Sequence, residues 1–79
     1  MAAHEGERSP LAELTPREGE VLGLIARGMT NQAISVNLVL SVRVVEKHIN
    51  AIFSKLELGE ESDVHRRVKA VLIYLANGQ

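Results

Sequence analysis

Ser41–Leu56, SVRVVEKHINAIFSKL, decides how the rest of the chain is read. Val42, Val45, Ile49, Ile52, Phe53 and Leu56 recur at steps of three and four, which places them on one face of a helix. At about 100° per residue, Arg43, Lys47, Asn50 and Ser54 fall on the opposite face, flanked by Val44 and Ala51. A core would hold such a helix from behind and leave a polar, partly cationic front. That is the arrangement the major groove admits, although a solvated surface helix has the same pattern.

The segments before it narrow the choice. Thr15-Pro16-Arg17-Glu18 predicts a helix start: Thr15 caps, Pro16 suits the first position, and Glu18 completes a capping box. Val21, Leu22, Leu24 and Ile25 form its apolar stripe, and Gly28 can end it in a left-handed conformation. Gly19 and Gly23, four apart on one side, could allow a close backbone approach, but the expectation is that they are tolerated, exposed positions. Thr30 or Asn31 opens a shorter helix to about Leu38, with Ile34 and Leu38 inward and the small Ser35 where two helices cross. The brief turn Val39-Leu40 and a cap at Ser41 lead into the central helix, so the pair forms a helix-turn-helix.

After it, Glu57 to Asp63 is an acidic connector broken by Gly59, and Ser62 or Asp63 can cap a last helix. That helix is apolar on two sides. Val64, Val68, Val71, Leu72 and Leu75 form one stripe, and Ala70, Ile73 and Tyr74 lie on the other side. The stripe is assigned to the core. Ala70, Ile73 and Tyr74 are assigned to a homodimer contact, the alternative being that the small domain wraps over Tyr74. The expectation is an all-α, four-helix bundle spanning Leu11 to Gln79, preceded by a flexible arm or linker, Met1 to Pro10. The linker character of Met1 to Pro10 favours a domain cut from a longer protein.

Composition excludes several classes. Seventy-nine residues give room for one small core but little for a catalytic cleft as well. Without cysteine there is no disulfide framework and no thiolate chemistry. His4, His48 and His65 lack metal-site spacing, and no glycine-rich loop cradles phosphate; neither an enzyme nor a metal or cofactor is expected. No apolar run approaches the roughly 18 residues of a membrane span, and the N-terminus lacks a secretory signal, which points to the cytoplasm. The net charge of −1 is low for a DNA-binding domain. Local charge matters more: Arg43, Lys47 and Lys55 lie in the central helix, and Arg66, Arg67 and Lys69 cluster later.

The run LTPREGEVLGLIARGMTNQAISVNLVLSVRVVEKHINAIFSKL resembles the LuxR/FixJ (GerE-type) helix-turn-helix domain. The marks include Leu14-Thr15, Glu18, Val21-Leu22, Gly28, Asn31, Ile34, Ser41, Val45, His48 and Lys55-Leu56, in register over residues 14 to 56. The resemblance implies a winged-helix-like domain without a wing, the output domain of a bacterial response regulator. Its third helix would enter the major groove, its fourth would dimerise, and a receiver domain would commonly precede it. The chain departs from the pattern at Val44, where Thr is usual, and at Glu46, where a base is frequent. Ser35 and Ala33 replace a usual Ala and a capping Glu, and the connector before His65-Arg66-Arg67-Val68 is long and acidic.

Residue roles follow from these readings. Arg43, Val44, Lys47 and Asn50 are candidates for base edges: Lys can donate to guanine, Asn can pair with adenine, and Val can touch a thymine methyl. Thr30, Asn31 and Gln32, where free N–H groups open a helix, are candidates for phosphate, with Lys55 a weaker one. The alternative is a protein-interaction helix-turn-helix that dimerises but binds DNA weakly or not at all. Glu46, the net charge and the acidic connector favour that alternative. A sigma-factor-like domain shares the motif, but His48 and Lys55-Leu56 favour the LuxR type.

Overall fold

A computed structural model describes residues 9–77. Four helices carry the fold: α1 (Pro16–Ala26), α2 (Asn31–Leu38), α3 (Val42–Lys55) and α4 (Asp63–Ala76). No strand occurs among the described residues. A short 3-10 turn, Pro10–Glu13, capped by Ser9 and lying against α4, precedes them and has no counterpart in the sequence reading. Most of the expected arm, with His4, lies outside the described residues.

Each helix starts on a hydroxyl cap. The Thr15 side chain accepts from the Glu18 N–H at 3.1 Å, while Glu18 Oε1 accepts from the Thr15 N–H at 2.9 Å, closing the capping box. Thr30, Ser41 and Ser62 cap α2, α3 and α4 by accepting from the N–H groups of Ala33, Val44 and His65.

Three helices also end alike, with one left-handed residue followed by an apolar residue turned into the core. Gly28, Val39 and Glu57 have φ of 88°, 57° and 55°. The N–H groups of the next residues, Met29, Leu40 and Leu58, reach back to the carbonyls of Leu24, Ser35 and Phe53 at 3.2, 2.9 and 3.2 Å. These are Schellman turns, in which the paired hydrogen bonds satisfy carbonyls the helix leaves open. Glycine takes this conformation freely, whereas at Val39 a β-branched residue is held there with its side chain 88% exposed. Left-handed backbone costs an L-residue about 1–2 kcal/mol, and an exposed valine has little packing to offset it. Val39→Asn is therefore expected to stabilise the domain by up to about 1 kcal/mol, raising the calorimetric Tm by several degrees. An unchanged or lower Tm would show that the turn carries no such strain.

The core lies between α1 and α3, with α2 and α4 closing its sides. Val21, Leu22, Ile34, Val45 and Ile52 are completely buried. The apolar face expected for the central helix is thus the one that packs, and Val44 stays outside it.

Two expectations are corrected. Ala70 is completely buried and Ile73 and Tyr74 pack on the core, so this side of α4 faces inward. Val64, Val68, Leu72 and Leu75, assigned to the core, are the exposed side at 69, 52, 58 and 56%. Both stripes have helical spacing, and periodicity alone does not choose between them. Side-chain size does: Ala70 lets α4 approach α1 closely, and the Tyr74 ring lies over Gly23. That glycine is the second correction. A Cβ there would sit 3.0 Å from the Tyr74 hydroxyl oxygen, whereas one at Gly19 would meet nothing within 4 Å. Gly23 is a notch for Tyr74, and only Gly19 is merely tolerated.

Candidate nucleic-acid interface

Among the described residues, none covers the front of α3. Arg43, Val44, Glu46, Lys47, Asn50 and Ser54 are all exposed, while Val45, Ile49, Ile52 and Phe53 anchor the opposite face. Arg43 and Lys47 take part in none of the ion pairs among the described residues. The four candidate base readers, Arg43, Val44, Lys47 and Asn50, therefore share one accessible surface. Glu46 lies on its edge, lining a cleft with Asn31, Asn50 and Arg67. His48 is half-buried beside the core face, consistent with a supporting position.

The N-terminus of α2 opens beside this surface. Thr30 and Gln32 are exposed and Asn31 is half-buried. The Thr30 hydroxyl already accepts from the Ala33 N–H, so an anion there would meet the remaining free N–H groups of the first turn. The Ser35 hydroxyl donates to the Gln32 carbonyl at 2.7 Å within the helix, which satisfies this buried polar group.

Lys55 stands differently from expectation. Its ammonium donates to Glu18 Oε1 at 2.7 Å, joining the end of α3 to the start of α1. The Glu18 side chain is only 8% exposed and that of Lys55 35%. Burial raises the Glu18 pKa, but the hydrogen bonds from Lys55 and the Thr15 backbone, with the Lys55 charge, outweigh it and hold the carboxyl below its ordinary 4.5. Lys55 thus holds the end of α3 against the start of α1.

Two arginines of α4 have roles that the sequence reading missed. Arg66 pairs with Asp63 and places its guanidinium 5.0 Å from the centre of the Phe53 ring, tying the start of α4 to α3. Arg67 donates to the Met29 carbonyl at 2.8 Å and to Asn31 Oδ1 at 2.9 Å. These contacts span 38 and 36 residues, and no local pattern announces them.

Among the described residues no helix is long and apolar enough to cross a membrane. No group of three or more His, Cys, Asp or Glu among them is placed to hold a metal ion.

Residues 12–68 match bacterial regulatory proteins of the luxR family. The chain belongs to that family. Relatives include the transcriptional regulatory protein LiaR of Bacillus subtilis, 42% identical over 60 residues, or 75% of this chain and 28% of LiaR. ComA of the same organism is 42% identical over 65 residues, covering 82% of this chain and 28% of ComA. The nitrate/nitrite response regulator protein homolog of Haemophilus influenzae is 38% identical over 68 residues, covering 86% of this chain and 30% of that protein. The chain therefore spans less than a third of the length of these luxR-family relatives. No solved structure matches the chain significantly.

Proposed function

We propose that this luxR-family domain binds double-stranded DNA and regulates transcription as the output domain of a two-component response regulator in the cytoplasm. A receiver domain would supply the signal; the name of the Haemophilus influenzae relative, a response regulator protein homolog, supports this. The observation that carries the reading is the α3 front: two cations, an amide and a small apolar side chain, exposed and without an ion-pair partner among the described residues, on a helix anchored by its opposite face. Arg43, Lys47 and Asn50 read base edges, Val44 touches a thymine methyl, and Thr30, Asn31 and Gln32 meet phosphate. Each phosphate that a cation of this surface neutralises makes affinity fall with salt, by a slope of about 0.9 on logarithmic axes. Fluorescence anisotropy with a selected duplex at several salt concentrations tests this. Saturable binding that weakens with salt supports the reading, and no binding at low salt refutes it.

The protein acts as a homodimer in this reading. Its contact is the exposed α4 stripe of Val64, Val68, Leu72 and Leu75, not the inward Ala70, Ile73 and Tyr74. A two-fold pair through α4 would present two α3 helices to two half-sites. Leu72→Glu is expected to abolish association in sedimentation equilibrium, with a change in folding stability within about 0.5 kcal/mol because Leu72 leaves the core intact. Association that persists in Leu72→Glu would put the contact elsewhere.

A further inference from the structure

Arg67 sits where three parts of the molecule meet. Its backbone belongs to α4, beside the exposed Val68; its guanidinium reaches the Met29 carbonyl and Asn31 Oδ1 at the start of α2. A guanidinium has only donors, so the amide oxygen of Asn31 must face it. The amide NH2 then points away from Arg67, and no acceptor among the described residues takes its hydrogens. Met29, held by the same fork, is the residue whose N–H closes the turn after α1. One side chain thus fixes both the path of the chain into α2 and the orientation of the Asn31 amide.

We infer that Arg67 is a positioning residue for DNA binding: it orients the Asn31 amide so that its NH2 donates to a backbone phosphate at the start of α2. The inference rests on the DNA-binding reading and adds to it a residue outside the recognition helix. Arg67 acts through Asn31: its two terminal nitrogens are each aimed at a protein acceptor, the Met29 carbonyl and Asn31 Oδ1. The same fork gives α4 a mechanical link to the DNA-facing surface.

A double-mutant cycle on duplex affinity tests this. Arg67→Gln is expected to lower affinity about tenfold in the wild-type background and less than twofold in the Asn31→Ala background. The salt slope should stay at the wild-type value in Asn31→Ala, since a neutral amide donates a hydrogen bond without neutralising a phosphate charge. Arg67→Lys keeps the charge but loses the fork. It provides a second variant if Arg67→Gln unfolds, with a loss of threefold or more expected on Asn31 and none on Asn31→Ala. A tenfold loss that persists in the Asn31→Ala background would make Arg67 a direct contact and overturn the inference. So would undiminished affinity of both Arg67 variants when the wild-type domain binds. Failure of the wild-type domain to bind any duplex would instead overturn the DNA-binding reading, and the inference with it.

Discussion

Lys47→Ala is expected to weaken binding to the preferred duplex by about 1–3 kcal/mol, a loss of roughly five- to 150-fold in affinity. The ammonium is exposed on the α3 front, and no intramolecular partner among the described residues holds it. The substitution therefore costs the fold almost nothing, and the thermal midpoint should stay within a degree or two. If Lys47 reads a guanine, discrimination at one base pair is lost along with affinity. If it meets only phosphate, affinity falls evenly across sequences and the salt slope shrinks by about one. Competition with single-base duplex variants separates the two. Unchanged affinity for the selected duplex would remove Lys47 from the interface.

Glu18→Ala is expected to have the largest effect on stability, about 2 kcal/mol. It removes half of the capping box, worth about 1 kcal/mol, and the charged hydrogen bond to Lys55. The second contribution is well below that of a fully buried pair, because the Lys55 ammonium can turn to water when its partner goes. The pH dependence identifies the carboxylate. Its pKa is depressed in the folded protein, so its contribution is fully present above the ordinary value of 4.5. That contribution is lost as pH falls through the folded pKa. Wild-type stability should therefore drop on acidification below about 4.5 more steeply than that of Glu18→Ala, and the two curves should converge. Parallel curves from pH 7 to 3 would show that Glu18 is not the group responsible. Because Lys55 joins α3 to α1, the variant should also loosen the C-terminal turn of α3 in amide exchange.

The parts legible in the sequence are those set by neighbours in the chain. The Thr15/Glu18 box, Gly28 and the single apolar face of α3 depend on residues three or four apart, and the structure has them as read. The left-handed ends at Val39 and Glu57 were hidden because neither residue type signals that conformation. An apolar residue directly after each, Leu40 and Leu58, is the cue that was available, and Met29 repeats it after Gly28. Of the α4 stripe assigned to the core, Val71 packs there but Val64, Val68, Leu72 and Leu75 face outward, because two apolar stripes have equal periodicity. The deciding facts, a small Ala70 and a glycine notch beneath Tyr74, belong to the packing of two helices far apart in the chain. For the same reason the sequence offers Lys55 only as a weaker phosphate candidate and gives no sign of its pairing or of the Arg67 fork: their partners lie more than 30 residues away.

An amide NMR titration of the domain with a mixed-sequence duplex, at low and near-physiological salt, tests the central claim most directly. The account predicts that signals from Thr30 to Gln32 and from Arg43 to Asn50 move together, and move less at the higher salt. Signals from these segments that stay still at low salt, while those of Val64, Val68, Leu72 and Leu75 respond to protein concentration alone, would contradict it. The domain would then be an association module whose recognition helix does not engage DNA.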